Sequence, residues 1–313
     1  MNAMYPVYDV TAATTDRPEA LGTKEKFWLL PEQGGELPFA PHLFKIGRAN
    51  TGENWAEKVC YEILAHVRMP AARYNFAQHD GTPGVISQRF MPNTASFLPA
   101  NMLLAQSVEE YDGTRRFKQR KYQLSTSIGI LRSGQIKPPL SAPALYAQLK
   151  AAEFLVGYLV FDALVGNTDR HHENWGVVVM TDEYGETSFS LAPTFDHASS
   201  LGRNESDDAR RRRLATSDER DTVQAYAARA RSAFYQSAAS ERTMLQRETL
   251  VELVGAYREP TRFWAQVLCD VPPAVFESIF ARISPQLISG DATSFALAVL
   301  RANQQMIREV AGV

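Results

Sequence analysis

The sequence predicts an α+β chain in two unequal parts, a small sheet-rich part over residues 1–92 and a larger, mainly helical part over residues 93–313. Three observations predict it. Short apolar runs punctuated by glycine and proline cluster before Phe90, with one amphipathic helical repeat among them. A nearly unbroken apolar stretch at 145–165 marks a buried helix, and helical periodicity resumes from Thr222 to the end. With 313 residues, 45% of them hydrophobic, the chain can bury a full core, so either two small domains or one two-lobed enzyme fits.

In chain order, Lys26–Leu30 and His42–Ile46 read as strands, and residues 73–77 and 84–89 as two more. Trp55, Val59, Ile63 and Val67 recur about one turn apart, which predicts a helix over 53–67 packed on that sheet, with Thr51 as its cap. A basic stretch at 115–121 and a loop at 133–143 follow. The apolar helix at 145–165 tolerates Pro143 in its first turn and stops at Gly166. A polar segment at 167–174, a strand at 175–180, a turn at 182–186 and a strand at 187–191 then form a hairpin hung on a loop. Residues 203–221 crowd charges of both signs, including four arginines at 210–213, and predict an exposed flexible loop.

Composition excludes several classes. The 33 basic and 35 acidic residues leave a net charge of −2, so no global field draws the chain to nucleic acid or an anionic membrane. Cys60 and Cys269 each sit in an apolar-periodic stretch, where a buried thiol in a reducing compartment is expected. The first twenty residues lack a basic start and an apolar run, and no window reaches the roughly 18 apolar residues a membrane span needs. A cytoplasmic protein without a membrane span is expected, with a secreted effector as the alternative. No DNA-binding helix-turn-helix is visible, so no direct DNA binding is expected.

The chemistry concentrates at residues 166–175, where Asp169, His171, His172, Glu173 and Asn174 lie between a buried helix and a strand. The hairpin returns Asp196 close to Asn174. Phosphoryl transfer needs a carboxylate that orients the nucleophilic hydroxyl, an amide about five residues on that holds magnesium, and a further carboxylate that bridges metal and phosphates. Asp169, Asn174 and Asp196 meet that spacing. A strand lysine steadied by a helix acid is also required, and Lys45 with Glu57 supplies it, Glu53 and Glu62 being the competing acids of the same helix.

The run from Thr168 to Trp175 followed by Leu191-Ala192-Pro193-Thr194-Phe195-Asp196 resembles the kinase core of HipA-like serine/threonine kinases, whose pattern is D-x-H-x-x-N and then P-x-x-D. Residues 20–26 are similar to that family's phosphate loop, Phe44-Lys45-Ile46 to its ATP-lysine strand, Ser87-Gln88-Arg89-Phe90 to its hinge, and residues 292–310 to its last helix. The resemblance implies a two-lobed protein-kinase-like fold, ATP and Mg2+ as cofactors, and transfer to Ser/Thr of a protein substrate, with an antitoxin or other regulatory partner where a member is a toxin. It implies Asp169 as catalytic base and His171 as the brace of the catalytic loop. Asn174 and Asp196 would hold metal, Lys45 and Glu57 the phosphates, Gly22 and Thr23 would sit over them, and the backbone of Gln88 and Phe90 would meet adenine. Two departures qualify it. Glu19, Ala20 and Leu21 stand where many members carry autophosphorylated serines, with Thr23 as the replacement, and the chain starts almost at the kinase core, without the extra N-terminal subdomain of toxin members.

The loop alone also resembles phosphoinositide kinases and secreted protein kinases. A lipid kinase would use the basic stretch at 115–121 against a membrane, whereas a solvated face or substrate-docking surface is the plainer expectation for it. Reading Asp169, His171, His172 and Glu173 as zinc or manganese ligands leaves Lys45 and Glu57 unexplained, and His197 is expected to be structural. A pseudokinase-like module that binds ATP without turnover is the non-enzyme alternative. Thr216 and Ser217, behind the four arginines, occupy the place of an activation loop, where phosphate would pair with those arginines and order the segment.

Overall fold

A computed structural model describes residues 3–18, 25–30 and 40–313. The smaller lobe is a six-stranded sheet with one helix. Its elements are β1 (Val7–Asp9), β2 (Thr14–Pro18), β3 (Lys26–Leu30), β4 (His42–Ile46), α1 (Glu53–His66), β5 (Tyr74–His79) and β6 (Thr82–Gln88). The sheet order is β1-β5-β6-β4-β3-β2, antiparallel except for the parallel β1–β5 pair. The sheet therefore begins earlier than expected, at Val7, and the strands expected at 73–77 and 84–89 are Tyr74–His79 and Thr82–Gln88.

Helix α1 buries Trp55, Val59 and Ile63, the residues whose spacing predicted it. Thr51 does not cap it. The N-cap is Gly52, and the Thr51 hydroxyl donates to the Arg48 carbonyl instead, while the Glu53 carboxylate accepts from the Arg48 N–H.

The larger lobe carries β7 (Ser96–Pro99), α2 (Ala100–Ser107), α3 (Leu124–Leu131), β8 (Ile136–Lys137), α4 (Ala151–Val165), β9 (Gly176–Thr181) and β10 (Thr187–Leu191). It continues with α5 (Asp207–Ala215), α6 (Val223–Ala228), α7 (Gln246–Ala256), α8 (Arg258–Cys269), α9 (Pro273–Phe280) and α10 (Gly290–Ala311). The expected hairpin β9–β10 is the centre of a four-stranded sheet, β7-β9-β10-β8, whose outer strands the sequence did not announce.

The apolar stretch at 145–165 divides. A short 3-10 turn covers Ala144–Tyr146, and α4 starts only at Ala151, where Glu153 accepts the Lys150 N–H at 2.7 Å. Every α4 residue except Glu153 is buried, as a helix apolar on all sides must be. It ends at Gly166, whose φ of 64° is a left-handed cap that glycine adopts without cost. Asn303 of α10 donates to the Leu164 carbonyl at 2.9 Å, so the last helix pins the end from which the polar segment departs. Both cysteines are free and buried, and no helix among the described residues is long and apolar enough to cross a membrane.

Residues 203–221 are not an open loop. Ser206 caps α5 by accepting the Ala209 N–H, with Asp207 and Asp208 in the first turn and Arg212 and Arg213 in the last, an arrangement that suits the helix dipole.

Candidate active site

Lys45 lies on β4 inside the six-stranded sheet, with Lys26 opposite on β3 and Val85 opposite on β6. Gly84 permits the close β4–β6 approach, since a Cβ there would run into the Lys45 carbonyl and the Phe44 ring. The buried Lys45 Nζ donates to the Tyr74 hydroxyl at 3.1 Å, to Glu57 Oε1 at 3.2 Å and to Asp196 Oδ1 at 3.3 Å. Burial disfavours its charge, but Asp196, Tyr74 and Glu57 outweigh burial and hold its pKa well above the ordinary lysine range.

Glu57, buried on α1, also accepts the His197 N–H at 2.9 Å. Its rivals are engaged elsewhere, Glu53 with Arg48 and Arg203, and Glu62 with Lys58. Asp196 adopts φ of 58°, a conformation that costs a non-glycine residue on the order of 1 kcal/mol or more, and the Tyr74 hydroxyl holds it by accepting the Asp196 N–H at 3.2 Å.

The polar segment is held by a residue that the sequence reading passed over. Arg170, 1% exposed, donates from Nε and Nη2 to both oxygens of Asp162 at 2.7 and 2.9 Å, and again from Nη2 to Thr194 Oγ1 at 2.9 Å. Its Nη1 donates to the carbonyls of Asn174 at 2.7 Å and Phe195 at 3.0 Å. One guanidinium thus ties α4, Asn174 and the residue before Asp196 together. Asn167 Nδ2 adds a bond to Asp162 Oδ1 at 2.8 Å. The Tyr122 hydroxyl donates to the Arg170 carbonyl at 2.9 Å and accepts from Trp175 Nε1 at 2.9 Å. His171, expected as the brace of this loop, adds a bond within it through Nδ1. Asn174 Nδ2 donates to the Asp169 carbonyl at 2.7 Å, which fixes the amide orientation and makes Oδ1 its metal-capable atom.

Between the lobes, Lys45, Asn174 and Asp196 line a cleft together with Leu43, Phe90 and Phe195. Phe90 stacks on Phe195 at 5.7 Å, with Phe97 edge-on to both rings. Gln88, which closes β6 opposite His42, lines the cleft as well. An apolar slot beside a cluster of charge can take a flat heterocycle and its polyanionic tail.

Asp169 is among the residues that line a second cavity at this loop. His171 approaches Asp169 Oδ1 at 3.7 Å, contacts the Arg116 guanidinium at 2.7 Å and, through Nδ1, accepts the Glu173 N–H at 3.1 Å. Burial and then Arg116 push its pKa down to about 3, and the same pair of causes takes His172, bonded to the Tyr111 hydroxyl at 2.6 Å, down to about 4. A guanidinium against His171 opposes a second cation there, so the zinc or manganese reading has no support in this geometry. His197 is buried against Thr194 Oγ1 at 2.9 Å. Of the basic stretch, Arg116 turns inward and Lys121 pairs with Glu110 at 3.1 Å.

Gly22 and Thr23 lie outside the described residues. Thr216 closes α5, and Ser217 is exposed after it. The arginines expected to await a phosphate are already paired: Arg210 with Asp207, Arg211 with Asp208 and Asp291, Arg212 with Asp221, and Arg213 with Glu205 and Asp221. Phosphate is therefore not needed to order this segment.

The family model described as the HipA-like C-terminal domain matches residues 18–258. Among solved structures, the chain is similar to the proinflammatory kinase CtkA of Helicobacter pylori, with a TM-score of 0.72 and 15% identity over 98% of this chain and 97% of that one. It is also similar to HipA of Shewanella oneidensis MR-1, from a toxin-antitoxin complex with HipB and operator DNA. There the TM-score is 0.53 and the identity 13%, over 99% of this chain and 70% of that one. No curated protein matches by sequence. At these identities the two structures show the fold, two-lobed and protein-kinase-like, and together with the family match they support a kinase role.

Proposed function

Since the chain belongs to the HipA-like C-terminal domain family, we propose that it is an ATP- and magnesium-dependent kinase that phosphorylates a serine or threonine of a protein. One observation carries this reading. Lys45, bonded to both Glu57 and Asp196, lines with Asp196 and Asn174 a cleft that also has Leu43, Phe90 and Phe195 in its wall.

Adenine would lie along those apolar side chains against the backbone of Gln88 and Phe90, with Gly22 and Thr23 over the phosphates. Lys45, aligned by Glu57, would steady the α and β phosphates. Asn174 Oδ1 and the Asp196 carboxylate are hard oxygen donors that suit magnesium, which when bound neutralises charge on the phosphate oxygens. Asp169 would orient the acceptor hydroxyl and take up its proton. His171, uncharged at neutral pH, packs beside it without adding a positive charge.

Transfer of label from γ-labelled ATP into a lysate protein, with magnesium and with chelator, tests the reading. Asp169→Asn and Asp196→Asn are each expected to lower transfer by about 10²-fold or more. Transfer that survives both substitutions sinks the mechanism. The proposal extends to a toxin-like role with an antitoxin-like partner, supported by the likeness to HipA. Growth arrest on expression, relieved by Asp169→Asn, is the expected result.

A further inference from the structure

A second cavity beside the catalytic loop is lined by Asp169, Arg116, Lys118 and Arg231, with Phe117, 63% exposed, at its rim. Asp169 is the one acid among its described lining residues. Three cations therefore face one carboxylate. Among the described residues, Lys118 and Arg231 make no ion pair, in contrast to the four arginines at 210–213. The buried Nε of Arg116 has no hydrogen-bond partner, and Glu173 stands 3.8 Å from it. The backbone of Lys118 is held at φ of 58°, a conformation that persists in a non-glycine residue only where its surroundings enforce it. The acids Glu110, Asp112 and Glu241 lie across an adjoining hollow, where Arg115, Arg120 and Lys121 also stand.

We infer that this cavity selects the acceptor by taking the aspartate or glutamate side chain of a protein segment that presents its serine or threonine to Asp169. The inference rests on the kinase reading above. A carboxylate entering here meets cations with unused hydrogen-bonding capacity, and its methylenes can pack on the Phe117 ring.

A positional-scanning peptide library with a fixed central serine or threonine, assayed with the full chain, magnesium and labelled ATP, tests it. At one or more positions on one side of the acceptor, Asp and Glu are expected to outperform Asn and Gln by about tenfold, the worth of one charge-assisted pair. Lys118→Gln and Arg231→Gln should each reduce that ratio, and the double substitution Lys118→Glu with Arg231→Glu should turn the preference toward Lys and Arg. A library with no acidic preference, or an acidic preference that persists in all three variants, overturns the inference and leaves the kinase reading standing. Transfer into a lysate protein with none into the library overturns it too. Absence of transfer into either overturns the kinase reading itself.

Discussion

Two buried cations meet the segment around Asp196 in opposite ways. Arg170 spends its guanidinium on Asp162, Thr194 and two carbonyls, with contacts of 2.7–3.0 Å, and is 1% exposed. Lys45 reaches its three partners only at 3.1–3.3 Å, longer than a typical charge-assisted bond, and it borders an open cleft beside a partly exposed Asp196. The first cluster is complete without a ligand. The second keeps an acid and an ammonium in a geometry that an incoming polyanion and its counter-ion can divide between them. Saturation marks the scaffold, and partial satisfaction marks the site.

The largest effect expected from this contrast is on stability. Arg170→Met leaves Asp162 buried without its counter-charge, which should cost about 3–5 kcal/mol in urea unfolding. Adding Asp162→Leu should return part of that loss, because an apolar pair need not be desolvated as ions. Next comes Lys45→Met, expected to lower kcat/KM for ATP-dependent transfer by roughly 10²–10³-fold. Its unfolding penalty should be smaller than that of Arg170→Met, since the open cleft lets water reach the freed Asp196 and Glu57 keeps the His197 N–H as a donor. Equal penalties for the two variants, or an Arg170→Met protein of normal stability, would dissolve the distinction.

The same contrast explains what could be read from the sequence. That Lys45, Glu57 and Asp196 meet, with Asn174 in the same cleft, was legible because phosphoryl transfer asks for those residue types at that spacing. The strands at 26–30 and 42–46 and the helix starting at Glu53 followed from periodicity. Arg170 and Asp162 were not legible, because Asp162 hides inside an apolar helical run and Arg170 among the polar residues of a loop. Only the folded path brings them together. Strands β1 and β7 escaped for a related reason, since each takes its register from a partner distant in sequence. Helix α5 is different. Its signals were present in Ser206, the acids after it and the arginines at its end, but a run of mixed charge was read as solvated and unordered.

The smallest effect separates the acid response from both cations. His171 and His172 are held uncharged with pKa values of about 3 and about 4, and burial, followed by the nearby Arg170, drives His197 well below its ordinary value. In the unfolded chain a histidine titrates near 6.5. Below about pH 6.5 the unfolded state therefore binds protons that the folded state refuses, so stability is constant above that pH and falls as the pH drops toward 4, by up to about 1.4 kcal/mol per pH unit for each histidine. Lys45 and Arg170 stay charged throughout this window and contribute no slope. His172→Gln loses the bond to Tyr111 and should be less stable at pH 7, but its unfolding free energy should fall less steeply between pH 6.5 and 4. Urea midpoints measured across that range for both proteins check the sign. A parallel fall in both would move the acid sensitivity away from His172 and leave it to His171, His197 and the carboxylates.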